Sequence, residues 1–571
     1  MVPTTNGARG ASPISRRGLL QLGGSVALLV AASACAAGTK QTPSSSSSTT
    51  TTTNGGGAPT GSAGPSGGAT PASGVLKIAV SSYPSSWDQD FVGFDLAALM
   101  MFKNVYPYLI DYGVTTVGDS KILDTTAITP TFAESFQPDT TGKIWTLKLR
   151  KGVTFASGNE MKAADVKWSK DRAFAAAANV AGIYRTIGLT KADQVVVKDD
   201  YTVEFHQDFP SALTPQIQAI SLYVFDSVEA KKHATADDPW AKEWFTKNPP
   251  TGGYYNVTKA TQGQEIELTA NAGYPGPDPA KTQTIRISVV PSAANQRLQL
   301  QSGDIDVALG ISGQDLQDLK KAEGIKVLSA PSNNQVAIQM SVTTAPFDDV
   351  NVRKALAYAV PYQQIISGVY SGDARPTKSV VPLDMPGYVE TGYPYTYDLD
   401  KAKAALAAAG KTSIDSELVI EADNAEQQKI AVQVQAEAAK AGITLKITPL
   451  DPATLGERRS KKTIPLQVTT GQLWVNDVEY MLATSFVKGA ALNYSNYTNP
   501  ELEQIYTQAH TTVDEAARKQ LWAKVQEILA ADVPWVVICQ PNFNLPVRDK
   551  VGGWVQPMDG LARLRYLTTS A

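Results

Sequence analysis

Apolar positions along this chain recur with two periods, and the switches between them mark its elements. Leu76-Lys77-Ile78-Ala79-Val80 is a short apolar run that predicts an opening strand. Over 91–106, Leu96, Leu99, Met100 and Val105 recur at helical spacing. The period drops to two at 145–150, where Trp145, Leu147 and Leu149 share one face, and Val153-Thr154-Phe155 beyond Gly152 predicts the returning arm of a hairpin. A helix is expected over 163–178. A second hairpin is expected from 195–197 and 201–205 around Lys198-Asp199-Asp200. Strands follow at 265–269 and 284–290. A helix at 351–366 should be kinked by Pro361, another spans 425–441 ahead of a strand at 443–447, and 502–510 with 514–531 form a helical pair. Lys401 to Ala409 is Ala-rich and helical, with Gly410 as the left-handed stop. Strands and helices mingle throughout, so the fold class is α/β to α+β.

The first 74 residues follow neither period. Arg9, Arg16 and Arg17 stand in a stretch without acids, ahead of an apolar run over 18–34 that falls short of the ~20 residues of a membrane span. This is the pattern of a secretory signal. Ser15-Arg16-Arg17-Gly18-Leu19-Leu20 resembles a twin-arginine export signal, the alternative being an ordinary secretory signal that holds two arginines. Ala32-Ser33-Ala34-Cys35 resembles a bacterial lipobox, with Ala32 where leucine is more usual, and this implies lipidation of Cys35; a plain cleavage site with an incidental cysteine is the alternative. Residues 35–74 are Ser, Thr, Gly, Pro and Ala with almost no large apolar side chain, too little burial to offset ordering entropy. They are expected to form a tether with a root-mean-square reach of roughly 30–35 Å.

Composition narrows the chemistry. About 500 residues remain for two or three domains. The formal charge of −3 for the whole chain shows no basic stripe, which argues against nucleic acid. Only three histidines occur, His206, His233 and His510, none at ligand spacing from another His or Cys, so no metal site and no cofactor is expected. Neither a Gly-x-Ser-x-Gly elbow nor a His-Glu-x-x-His motif is present beyond the signal, and no catalytic residue set emerges. Asp304 and Asp306 fit a turn entering a strand better than an acid–base pair, and Cys539 in an apolar run fits a buried thiol.

Four stretches then carry a resemblance. They are Phe132-Ala133-Glu134-Ser135-Phe136 with Trp145 to Phe155 and Ala163-Ala164-Asp165-Val166; Thr251-Gly252-Gly253-Tyr254-Tyr255 with Gln301 to Val307; Phe347 to Val360 with Tyr397-Asp398; and Asn493 to Tyr497 with Asn499-Pro500-Glu501-Leu502 and Pro534-Trp535. In order and spacing, from about Leu76 to Trp554, the chain resembles the extracellular solute-binding proteins of peptide and nickel ABC importers. The resemblance implies a two-lobed periplasmic-binding-protein-like fold with an inserted domain and two crossing hinge strands. Residues 75–107, 248–335 and 540–571 would form a base lobe, 108–247 the insertion and 336–539 the second lobe, with hinges near 336 and 540. Arg150 with Asp165, and Asp348 with Arg353, are expected as structural pairs.

The same resemblance implies a ligand site. Trp474 and Asp477 match the family's cleft tryptophan and the acid that meets a peptide's α-amino group in peptide binders. Trp87 and Phe94 would line the facing wall, Tyr184 and Arg185 would approach from the insertion, and Asn493 and Tyr494 would donate hydrogen bonds. Two departures stand out: Pro107 occupies a place where the family tends to have Glu, and Glu421-Ala422-Asp423-Asn424 stands where dipeptide binders place an arginine for the ligand carboxylate. An acidic stretch there makes a dipeptide doubtful and leaves longer peptides, cationic or uncharged solutes open; nickel is distant, since no histidine falls in a matching place. The expected protein is a monomeric binder that delivers peptide to an ABC permease and ATPase complex and touches the membrane only through its lipid. A surface signalling or adhesive binder, or a secreted hydrolase, are the alternatives.

Overall fold

The apolar runs pair into two large mixed sheets, and each sheet anchors one lobe of a two-lobed α/β fold. The computed structural model describes residues 72–92, 95–249, 252–311, 313–390, 392–471, 473–512 and 514–570. The expected export signal, the expected tether with Cys35, and Phe94 lie outside the described residues.

The first sheet has seven strands in the order Ile325–Ala330, Phe543–Arg548, Val307–Ala308, Ala72–Val80, Thr282–Val289, Glu265–Ala270 and Tyr255–Thr261. Ala72–Val80 runs parallel to both of its neighbours, which requires crossover connections; the helix Ala293–Ser302 lies in one of them. The second sheet has six strands, Ala374–Pro376, Trp535–Pro541, Gln335–Met340, Leu466–Gly471, Ile414–Glu421 and Ile443–Leu450. A separate four-stranded antiparallel sheet, from Ala133–Pro138 to Thr202–His206, and a long two-stranded hairpin of Ile110–Val117 with Ser120–Pro130 fill the stretch between the first strand and Tyr255–Thr261.

The chain crosses from the first sheet to the second between Ala330 and Gln335, and returns between Pro541 and Phe543. The crossings are tied side by side. Ser332 Oγ donates to the Pro541 carbonyl at 2.7 Å, and Gln540 Nε2 donates to the Ser332 carbonyl. Asp373 accepts from Asn542 and Asn544 at 2.8 Å each and pairs with Lys320 at 3.3 Å, linking the second lobe to the return crossing and to the first lobe.

Several local expectations change. Residues 153–155 do not form a hairpin with 145–150: Ile144–Leu149 is an inner strand between Ala133–Pro138 and Thr202–His206, and Thr154 makes one isolated bridge, to Glu160. Two strands, the one just before it in the chain and one far beyond, pair with this stretch and leave Trp145, Leu147 and Leu149 buried, which a short return arm cannot match. Pro361 separates two helices, Val350–Ala359 and Tyr362–Tyr370, because it lacks the N–H that would continue the ladder. The helix expected from 91 begins at Leu96, where Asp95 caps it by accepting from Ala98 N. Arg150 donates to the Thr131 carbonyl, while Asp165 accepts from Ser227 and from Lys162 N, so these two do not pair. Arg353 reaches the carbonyls of Phe347, Asp348 and Asp532, not the Asp348 carboxylate. The hairpin of Val195–Asp199 with Thr202–His206, Gly410 at φ 70° after Leu399–Ala408, and the buried Cys539 are found as expected.

Gly253 shows how tightly the first lobe is built. Its N–H donates to the Val105 carbonyl at 2.9 Å, and a Cβ at 253 would lie 2.5 Å from the Val105 carbonyl carbon. Gly253→Ala should therefore destabilise the fold by ~1–3 kcal/mol in urea unfolding, through overpacking against backbone that cannot rotate away.

Candidate functional site

Gln335–Met340 is buried along its whole length yet carries polar residues at every other face position. Val336, Ile338 and Met340 pack into the second-lobe core, whereas Gln335, Ala337 and Gln339 face a cavity. Period-two geometry forces this division, since neighbouring side chains of a strand point to opposite faces. The adjacent strand Leu466–Gly471 adds Thr469 to the cavity, and its Gln467 donates to Gln339 Oε1 at 3.2 Å. The cavity holds about 170 Å³ and is also lined by Trp535, Tyr494 and, from the crossing segment, Asn333. Asn333 is fully buried, and its Oδ1 has no hydrogen-bond partner.

Arg459 enters this cavity from the helix Pro452–Ser460. Its Nε donates to Gln467 at 3.0 Å, Nη1 lies 3.4 Å from Glu421 Oε1, and the guanidinium sits 5.4 Å from the centre of the Tyr494 ring. The acidic stretch that argued against a carboxylate ligand is thus faced by a cation from a different element. Sequence reasoning missed Arg459 because it lies 38 residues beyond Glu421 in a charged helix that looks like a solvated face. The glutamines within apolar strands were the visible signal, since a buried strand position spent on a polar side chain needs a polar partner.

The loop after Leu466–Gly471 approaches the first lobe. Trp474 is half-buried and packs against the first-lobe core, and Val475 and Tyr480 join that same core. Asn476 is buried and donates to Thr125 Oγ1 of the hairpin strand Ser120–Pro130 at 3.3 Å, a direct link between the lobes. Asp477 is half-buried and caps the helix Val478–Ser485 by accepting from Glu479 N at 2.7 Å. It faces an opening of about 690 Å³ shared with Thr125, Gln216, Arg518 and Trp522. Burial and then the neighbouring Glu479 push its carboxyl up to about 6, against the pull of Arg518. Glu479 itself is buried and held by Arg518 at 2.6 Å and His510 at 2.5 Å.

The other expected residues divide. Tyr494 lines the second-lobe cavity. Asn493 does not: it is buried, donates to the Tyr497 and Val487 carbonyls and accepts from Tyr497 N, so it folds its own loop. Trp87 is 4% exposed, edge-on to Tyr83, with its backbone bonded to Thr246 and Tyr106, which makes it core. Tyr184 is buried with its hydroxyl on the Ser221 carbonyl, and Arg185 is exposed. The short helix Asn179–Arg185 explains both: it turns Asn179, Val180 and Ile183 toward the lobe interface, which leaves Tyr184 inward and Arg185 outward.

Among the described residues no cluster of His, Cys, Asp and Glu forms a metal-binding group, and no helix is long and apolar enough to cross a membrane. The arrangement sets an acid on the loop that meets the first lobe and an arginine in a second-lobe cavity.

Known proteins share this architecture. The dipeptide-binding protein of Escherichia coli (strain K12) is 30% identical over 459 residues, covering 76% of this chain and 84% of its own length. The probable D,D-dipeptide-binding periplasmic protein DdpA of the same organism is 26% identical over 459 residues, 79% of this chain and 85% of its own. The periplasmic binding protein DppA of Helicobacter pylori, solved with the peptide STSA, superposes with a TM-score of 0.77 at 24% identity, over 87% of this chain and 98% of its own. The family model for bacterial extracellular solute-binding proteins, family 5, matches residues 127–493. With two lobes and a cleft between them, this chain belongs to the family 5 extracellular solute-binding proteins, whose members bind solutes for transporters and are not enzymes.

Proposed function

We propose that this protein captures oligopeptides in its interlobe cleft and delivers them to an ABC permease and its ATPases. The observation that carries the reading is the pair of opposite charges in two openings beside the loop 473–477: Asp477 in one, and Arg459 in the second-lobe cavity. A peptide is a zwitterion, and these groups offer an acceptor for its ammonium and a forked donor for its carboxylate. Similarity to the dipeptide-binding protein over most of both chains supports the reading. Asp477, Trp474 and Tyr494 are the contacts we assign from the sequence, and Arg459 replaces the arginine that the Glu421 stretch lacks. Closure would turn about the two crossings near Asn333 and Asn542.

Calorimetric titration with paired peptides tests this. Free-acid peptides should bind, and Arg459→Gln should weaken them by ~1.5–3 kcal/mol while leaving C-terminally amidated versions nearly unchanged. No heat and no thermal shift with any peptide would sink peptide capture.

The same proposal places the mature protein on the outer face of the cytoplasmic membrane as a monomer, anchored through a lipid on Cys35. Several acyl chains hold durably, at about 0.8 kcal/mol per buried methylene, and the tether keeps the receptor at high effective concentration near its permease. Cys35→Ala should release the protein from the membrane fraction.

A further inference from the structure

Among the described residues, Arg459 and Glu421 are the only charged side chains that line the second-lobe cavity, and their pairing is loose. One contact joins them, Nη1 to Oε1 at 3.4 Å, longer than the ~2.7–2.9 Å of a charge-assisted hydrogen bond. The pair beside it shows what the same two elements can do. Arg458 of the helix Pro452–Ser460 grips Glu417 of the strand Ile414–Glu421 with both terminal nitrogens, one of them at 3.2 Å. One residue further along the helix, Arg459 Nη2 makes no hydrogen bond among the described residues. The two partners are also held unequally. Arg459 Nε donates to Gln467 at 3.0 Å, and Gln467 is 2% exposed and donates in turn to Gln339 at 3.2 Å. The Glu421 backbone is anchored, its N–H donating to the buried Gln427 Oε1 at 2.9 Å. Its carboxylate has only the contact to Arg459 and one from Asn424 Nδ2, also at 3.4 Å. The Glu421 side chain is 40% exposed against 21% for Arg459, so the carboxylate can swing out while the guanidinium stays.

We infer that Glu421 is an exchangeable counter-ion: it neutralises Arg459 in the unliganded cavity, gives way to the ligand carboxylate, and so sets the selectivity of the cavity for carboxylate-ended peptides over small inorganic anions. The inference rests on the peptide reading above, and within it Glu421 is a selectivity residue and not a ligand contact. A guanidinium left without an anion in a partly buried cavity is costly, and it would draw inorganic anions from solvent. A carboxylate tethered beside it acts at high effective concentration and keeps them out. A peptide carboxylate displaces Glu421 because it can make the forked, two-point bond that Glu421 does not make. The acidic stretch thus costs every incoming anion the same amount. The other contacts of a peptide offset that cost, and a bare anion has none to offset it.

Calorimetric titration of the whole chain with alanine peptides of two to six residues, each as free acid and as C-terminal amide, tests this. Glu421→Gln should tighten the free acids about fivefold, the size of effect of a partly exposed ion pair, and leave the amides nearly unchanged. At constant ionic strength, sulfate should compete with the free acids in Glu421→Gln and not in the native protein. Glu417→Gln removes the neighbouring fork on the same strand and helix, and should change neither result. In an Arg459→Gln background the gain from Glu421→Gln should vanish, since the two side chains act through each other. Free acids that bind no tighter in Glu421→Gln, a gain shared by the amides, or a gain that persists without Arg459 overturns the exchange and leaves peptide capture standing. No binding of any of these peptides overturns both.

Discussion

Arg563→Met is expected to destabilise the protein by ~3–5 kcal/mol in urea unfolding at pH 7.5, the size of effect seen when one partner of a buried ion pair is removed. Arg563 is about 1% exposed and sits between two carboxylates. It grips Asp559 with both terminal nitrogens at 2.7 Å each, and Asp111 through Nη2 at 2.7 Å and Nε at 3.2 Å. Lys103 at 3.2 Å and Arg565 at 2.9 Å complete the cage around Asp111. Burial alone would raise the Asp111 carboxyl, but Arg563, Lys103 and Arg565 hold it well below the usual range. Its stabilisation is therefore present above the unfolded value near ~4 and is lost only as pH falls through the lower folded value. Methionine fills the space and supplies no charge, so Asp559 keeps no cation at hydrogen-bond distance. Loss of Arg563 removes the largest of the pulls that hold the Asp111 carboxyl low, so the deficit of the variant should shrink as pH falls below ~4. A deficit that is below ~1 kcal/mol, or constant with pH, would mean that the cage contributes packing and not charge compensation.

Asp477→Asn should weaken peptides with a free α-amino group by ~2–4 kcal/mol, most of it in faster dissociation, and leave N-acetylated peptides nearly unchanged. Asparagine is a good helix cap, so the hydrogen bond to Glu479 N survives and stability changes little. The pH dependence gives a second signature. Burial and Glu479 raise the Asp477 carboxyl to about 6 in the unliganded protein. The carboxylate that receives an ammonium is present above that value, so affinity is full above pH 6 and falls about tenfold per unit below it. Folding responds with the opposite sign. The folded state takes up a proton between about 6 and the unfolded value near ~3.9, so this group's contribution to stability rises as pH falls through that window. Binding that weakens while the unliganded protein gains stability on acidification, both lost in Asp477→Asn, is a combination that a solvated loop acid would not give.

Much of the architecture was legible in the residues themselves. Period-two runs such as 195–197 with 201–205 paired as local pattern requires, because a hairpin needs only its own turn and two half-buried faces. Helix ends were legible where a residue's own chemistry decides them, as at Gly410. The strand at 145–150 was legible as a strand but not in its pairing: its partners at 133–138 and 202–206 compete on equal local terms with 153–155, and only burial of the Trp145 face selects among them. Pro361 was legible as a disruption, while the choice between kink and break depended on whether neighbours could satisfy the freed carbonyls.

At the cleft the division is sharper. Trp474 and Asp477 came from the resemblance alone, and the structure puts their loop against the first lobe. Trp87, Tyr184 and Asn493 were placed at the site by the resemblance, yet aromatic and amide side chains fill cores as readily as they line pockets, and periodicity cannot tell which. The chain by itself determined the class of fold, the order of its elements and the absence of a recognisable catalytic or metal motif, since each of these resides in local pattern. Only the tertiary structure decided that Arg459 faces Glu421, that Asn476 reaches Thr125, and that Arg563 lies against Asp111 452 residues away. Those contacts arise from packing of whole elements, where the energy of a buried charge depends on its partner's position in space, and nothing in the spacing of residues along the chain encodes that distance.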